Sequence, residues 1–114
     1  HLVPVNRGIL TTLYLAPALA QADDFGQWAD TVADCLTQRY ADEPFGRLTG
    51  SDRLPDTKNV TGTNTIEIGW AADPRTKRLR VFSAEDNLVK GASGQAVQSF
   101  NIRFGLDETA GLPI

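Results

Sequence analysis

Two short apolar runs on either side of a turn sequence constrain this chain more than any other feature. Over Thr65 to Ala71, Ile66, Ile68 and Trp70 alternate with Glu67 and Gly69. Leu79 to Ser83 is a second β-type run, and Asp73-Pro74-Arg75-Thr76 lies between them. Successive side chains of a strand point to opposite faces, so such alternation marks a half-buried strand, and two strands joined by a short turn pair antiparallel. The chain is therefore expected to be built on a hairpin. Val5 to Leu15 carries Ile9, Leu10, Leu13, Tyr14 and Leu15 with no internal proline. It is more apolar than alternation requires, which predicts an interior strand covered on both faces. Phe45 to Leu48 reads as a short strand. Leu54 to Asn64, rich in Pro, Asp, Thr, Asn and Gly, reads as loop or edge structure.

Two segments have helical spacing. Phe25, Trp28, Val32, Cys35, Leu36 and Tyr40 recur on one side of a helix predicted over Ala22 to Tyr40, with Asp23 or Asp24 as N-cap and Pro44 as its stop. Cys35 falls on the apolar side, where free cysteine acts as a small hydrophobe, so it reads as packing and not as a nucleophile. The second helix is predicted over Gly91 to Gly105, with Ala92, Ala96, Phe100 and Phe104 four apart and Val97 beside them. Gly91, Ala92, Ser93, Gly94 and Ala96 are all small, which lets a backbone or a ligand come close, and Gly105 is a suitable C-terminal stop. The order strand, helix, short strand, strand, strand, helix predicts an α+β fold with a mixed, largely antiparallel sheet and two main helices. A length of 114 residues suits one domain.

Composition narrows the function classes. A formal net charge of −3 gives no basic stripe for nucleic acid. One cysteine and one histidine exclude a four-cysteine zinc site, and no metal is expected. No apolar run is long enough to span a bilayer. The stretch Gly8 to Ala20 ends in Ala-Leu-Ala-Gln and has the outline of a secretory leader, but Arg7 is its only preceding positive charge and Pro17 sits late in it. The chain opens on His1 and not Met, so the expectation is a cytoplasmic chain that starts inside a larger protein.

Three stretches are more specific than their composition. They are His1-Leu-Val-Pro-Val-Asn-Arg-Gly-Ile9, Pro55-Asp-Thr-Lys-Asn-Val-Thr-Gly-Thr-Asn64, and Asp86-Asn-Leu-Val-Lys-Gly-Ala-Ser-Gly-Gln-Ala-Val-Gln98, the last continuing into Phe104-Gly-Leu-Asp-Glu-Thr-Ala-Gly-Leu112. In this order they resemble the C-terminal part of the N-acetyl-γ-glutamyl-phosphate reductases of the semialdehyde dehydrogenase family. The resemblance implies a substrate and dimerisation domain like the C-terminal domain of the glyceraldehyde-3-phosphate dehydrogenase-like fold, and a homo-oligomer. It also implies an NADP-dependent reductive dephosphorylation of an acyl phosphate to a semialdehyde in arginine biosynthesis. In that family a cysteine thiolate displaces phosphate to give a thioester, and NADPH reduces it. The nucleophile precedes the His-Leu-Val-Pro motif, and no Gly-x-Gly-x-x-Gly fingerprint stands here between a strand and a helix. The whole chain, 1–114, is thus expected to be one domain of a larger reductase whose nucleotide-binding domain carries most of the NADP contacts. The chain alone is expected to be inactive.

The resemblance also assigns roles. His1 would be the acid–base partner of the nucleophile, against the simpler reading of a disordered terminal residue or tag remnant. Arg7, and more weakly Asn6, would bind the carboxylate or phosphate of the substrate, whereas Arg7 could equally be a structural arginine paired with a carboxylate. Asn87 would lie near the nicotinamide amide, or else cap a helix. Lys90, Gly91, Ala92 and Gly94 would line the same cofactor neighbourhood, the N–H groups of the helix start suiting a polar or anionic partner. Lys58 reads either as a phosphate contact or as part of a turn-rich loop. The sheet face left bare by the helices, with Ile66, Ile68 and Trp70 or with Leu79 and Val81, is the expected dimer surface. Two alternatives stand: a carrier-protein-linked aminoadipyl-phosphate reductase of lysine biosynthesis, and a non-catalytic dimerisation module.

Overall fold

The computed structural model describes residues 1–18 and 23–114. Its elements are β1 (Ile9–Leu15), α1 (Phe25–Tyr40), β2 (Gly46–Gly50), a single-turn α2 (Thr57–Val60), β3 (Ile66–Asp73), β4 (Arg78–Glu85), a π-helical turn (Val89–Ser93) and α3 (Gly94–Phe104). The four strands lie in the order β1-β4-β3-β2; β1 and β3 flank β4 antiparallel, and β2 runs parallel to β3. This is the expected α+β fold with a mixed, mostly antiparallel sheet. The hairpin forms as anticipated, Ile66 opposite Glu85 and Asp73 opposite Arg78. Asp73 closes it, its Oδ1 accepting from the N–H groups of Arg75 (3.1 Å) and Thr76 (3.3 Å).

Helix α1 covers one face of the sheet. Asp24 caps it by accepting from Gln27 N–H at 3.2 Å. Phe25 and Ala29 are buried against Ile68, Leu79 and Val81, with Trp28, Val32, Leu36 and Tyr40 partly buried around them. The expected start of this helix at Ala22 lies outside the described residues. Two expectations fail here. Ile68, Leu79 and Val81 are core residues and not a bare dimer surface, because α1 packs on the face that carries them. Cys35 is exposed. It precedes Leu36, and one residue turns the helix by roughly 100°, so it sits on the flank of the apolar stripe.

Strand β1 is an edge of this sheet and not an interior strand. Its exposure alternates only loosely, and Leu13 and Tyr14 are 53% and 69% exposed. An apolar run longer than alternation needs therefore signals apolar surface that these residues leave open, not burial on two sides. The strand begins at Ile9 and not at Val5 because Gly8 breaks the extended path with φ +115°. Residues 54–64, expected to be loop, contain the α2 turn. Asp56 accepts from Lys58 N–H at 2.9 Å, and Val60 is fully buried.

The closing helix departs furthest from expectation. The chain first makes the π-helical turn, and α3 starts at Gly94. It ends where expected, at Gly105 with φ +67°, whose N–H bonds back to Asn101 and Ile102. Its inward residues are Gly94, Gln98 and Asn101, while Phe100 and Phe104 are 55% and 62% exposed. The amphipathic pattern is present with its polar side inward.

Candidate functional site

The three motif stretches, far apart in sequence, meet at the start of the C-terminal helical segment. Asp86 is fully buried at the meeting point. Its Oδ1 accepts from the N–H groups of Leu88 (2.8 Å) and Val89 (3.1 Å), the first turn of the segment it caps. Its Oδ2 accepts from Gly62 N–H at 2.7 Å, in the second motif, and from Arg7 Nη1 at 3.4 Å, in the first. Burial pushes the Asp86 carboxyl up, but these three N–H groups and the Arg7 guanidinium outweigh it and hold it below the ordinary carboxylate value.

Asn87 completes the junction. Its Oδ1 accepts from Gly8 N–H at 2.8 Å, and its Nδ2 donates to the Asn6 carbonyl at 3.4 Å. Gly8 is confined from the other side, since a Cβ there would stand 2.9 Å from Cβ of Thr57. The positive φ and this contact explain why the first motif needs glycine at that position.

Beside the junction, on the sheet face opposite α1, is a cavity of about 400 Å³. His1, Val5, Gly8 and Leu10 line one wall, and Leu54 to Thr57 the other. His1 Nε2 lies 2.8 Å from Thr12 Oγ1 on β1. The opposite wall is pinned by a second buried carboxylate. Glu67 of β3 accepts from Arg53 Nη2 (2.8 Å), Asp56 N–H (3.1 Å) and Asn59 Nδ2 (3.2 Å), with Arg47 at 3.7 Å. Burial pushes the Glu67 carboxyl up; the Arg53, Asp56 and Asn59 hydrogen bonds outweigh it and hold it low.

The structure thus brings His1, Asn6, Arg7 and Asn87 to one end of the molecule. Arg7 keeps its side chain 45% exposed while paired with Asp86. Asn6 takes part through its backbone. Lys90 turns away from this cavity. Its Nζ donates to Gln98 Oε1 at 2.7 Å, lies 5.4 Å from the centre of the Phe45 ring, and lines a separate cavity of about 250 Å³. Burial lowers its pKa against the pull of Glu85, Glu108 and Glu43. Gly91 and Ala92 are exposed, and a Cβ on Gly91 would make ordinary contacts. Gly94 is small for an internal reason: a Cβ there would overlap Asn64 Oδ1 and the Val89 carbonyl. The first N–H groups of the turn are taken by Asp86, and those of Gly91 and Ser93 by the carbonyls of Asp86 and Leu88. They are not open to an anion, contrary to expectation. Lys58 donates its backbone N–H to Asp56, as the turn reading has it.

Two residues central to this geometry carried no assigned role in the sequence. Asp86 stood inside a motif, but an acidic residue before a helix is an ordinary cap. Glu67 alternates with apolar residues, which pointed it to solvent. Among the described residues, no group of three or more His, Cys, Asp or Glu could hold a metal ion, and no helix is long and apolar enough to cross a membrane.

Comparison with known proteins adds a family. The semialdehyde dehydrogenase dimerisation domain matches residues 1–87. Similar proteins named N-acetyl-gamma-glutamyl-phosphate reductase include those of Akkermansia muciniphila, 54% identical over 98% of this chain and 30% of its own length, and of Desulforudis audaxviator, 49% identical over 98% and 31%. That of a Thermoanaerobacter species is 48% identical over 100% of this chain and 31% of its own length. The chain spans about a third of the length of these relatives.

Proposed function

The chain belongs to the semialdehyde dehydrogenase dimerisation-domain family, and on that premise we propose that it is the C-terminal part, 1–114, of an NADP-dependent N-acetyl-γ-glutamyl-phosphate reductase. The observation that carries this reading is the convergence of the three motif stretches on Asp86, Asn87 and Gly8 beside the His1 cavity. Stretches that share a site have a reason to recur together; stretches scattered over the surface do not. The relatives' shared name supplies the substrate, an N-acetyl-γ-glutamyl phosphate, and its reduction; the resemblance of the motifs supplies the products, the semialdehyde and phosphate. The family description supplies the partner, a second copy of the chain.

The residues divide the task by their chemistry. His1 exchanges the proton that the reacting sulfur or oxygen gives up and takes back through the ring nitrogen that Thr12 leaves free, Thr12 Oγ1 holding Nε2 and so orienting the ring. The thiolate itself comes from outside these residues, since Cys35 sits on α1, across the sheet from the His1 cavity. Arg7 offers its remaining N–H groups to the carboxylate or phosphate of the substrate, and Asn6 assists. A nicotinamide cofactor would be held at the π-helical turn by Asn87 and by the exposed Gly91 and Ala92, with Lys90 and Gly94 supporting the turn from behind. When bound, it supplies the hydride. The internally satisfied N–H groups make this a nicotinamide-side contact and leave the anionic phosphates to the rest of the enzyme.

The test is NADP⁺- and phosphate-dependent oxidation of N-acetylglutamate semialdehyde by the full-length polypeptide that contains this chain. Turnover is expected, and it should be lost in His1→Asn. Turnover with a carrier-linked aminoadipate semialdehyde alone would move the protein to lysine biosynthesis. No turnover with either, in a folded protein, would leave a non-catalytic module.

A further inference from the structure

We infer that Asp86 is a positioning residue that locks the His1- and Arg7-bearing segment to the start of the C-terminal helical segment, so that the substrate side and the cofactor side of the site move as one body. This rests on the function proposed above. Every oxygen of the Asp86 carboxylate is committed: Oδ1 to the two N–H groups of the helical turn, Oδ2 to Gly62 N–H and Arg7. Asn87 adds a donor–acceptor pair on the backbone of residues 6 and 8. Beyond these bonds, His1 Nε2 on Thr12 Oγ1 ties segment 1–8 to the body among the described residues. A fully buried carboxylate without these donors would be costly, so the junction is stable only when all four donor groups are in place. Segment 1–8 therefore has one favoured position, and it is set from residue 86. Arg7 is oriented in the same step. With one Nη on Asp86, its free edge is fixed relative to the helical turn.

Asp86→Asn keeps the volume but puts an NH₂ group against a donor, whichever way the amide turns. In the full-length protein, hydrogen exchange of the amides of residues 5–9 is expected to quicken about tenfold or more, while exchange in α1 stays unchanged. The KM for the acyl phosphate should rise with it. Arg7→Lys should raise KM at least as much, since it also alters the substrate contact, and the double variant should have a KM no higher than that of Arg7→Lys alone, because the link to Asp86 is then already broken. Asn87→Ala removes the two bonds to the backbone of residues 6 and 8 from a half-buried position and serves if Asp86→Asn does not fold. It should quicken the same amides without touching the helix cap. Unchanged exchange at 5–9 in both variants would overturn the inference, as would equal acceleration in α1, which marks general destabilisation. Local acceleration in a protein with no reductase activity in its unsubstituted form would uphold the coupling and overturn only the proposed reaction.

Discussion

The two long helices carry similar amphipathic patterns and use them in opposite senses. Helix α1 turns Phe25 and Ala29 into the core over Ile68, Leu79 and Val81. Helix α3 turns Gln98 and Asn101 inward. Gln98 accepts from Asn64 (3.0 Å) and Lys90 and donates to Glu108 (2.7 Å), and Asn101 donates to the carbonyls of Glu108 and Ala110. Its aromatic pair, Phe100 and Phe104 at 4.5 Å between ring centres, points out. An amphipathic stripe says that a helix has a wet side and a dry side; it does not say that the dry side belongs to the same domain. A helix fixed through its polar side leaves its apolar side for another body. In the proposed reading that body is the remainder of the reductase.

Substitutions can break or sharpen this contrast. The largest effect is expected in α1, where Phe25→Ala should cost about 3–5 kcal/mol in urea unfolding, as buried Phe truncations do. Next comes Gln98→Leu in α3, which leaves the amide of Asn64, the Lys90 ammonium and Glu108 without their shared partner. A loss of about 1–3 kcal/mol is expected, with exchange quickened in α3 before α1. Acid should separate the helices as well. Asp86 and Glu67 both have lowered carboxyl pKa values, so their stabilisation is present above the ordinary carboxylate range of about 4 and is lost as pH falls through the folded values. Amide exchange on lowering pH should quicken first at residues 5–9, 54–59 and 86–93, which these carboxylates hold, and later in α1. Smallest is Phe100→Ser with Phe104→Ser. The stability of the 114-residue chain should stay within about 0.5 kcal/mol, while light scattering shows less self-association.

The hairpin was legible because strand alternation and the Asp73 turn are local signals, and α1 because its stripe faces its own sheet. The edge position of β1 and the inversion of α3 were not legible. Both depend on what lies against the element, and Leu13 or Phe100 looks the same in sequence whether its neighbour is in this chain or another. The site was legible as three motifs and, by resemblance, as His1, Arg7 and Asn87. Its joints were not: Asp86 has the form of any helix cap, and Glu67 gains three donor residues, Arg53, Asp56 and Asn59, only because residues 53–59 fold back over it. The small residues of the last motif divided. Gly94 serves Asn64, while Gly91 and Ala92 stay open.

That α1 is core and α3 an interface is tested most directly by amide exchange on the 114-residue chain and on the full-length polypeptide side by side. Protection in α1 should be alike in both, and protection in α3 should rise sharply in the full-length protein. Equal protection of α3 in the two would contradict it, since the apolar side of that helix would then have no partner to meet.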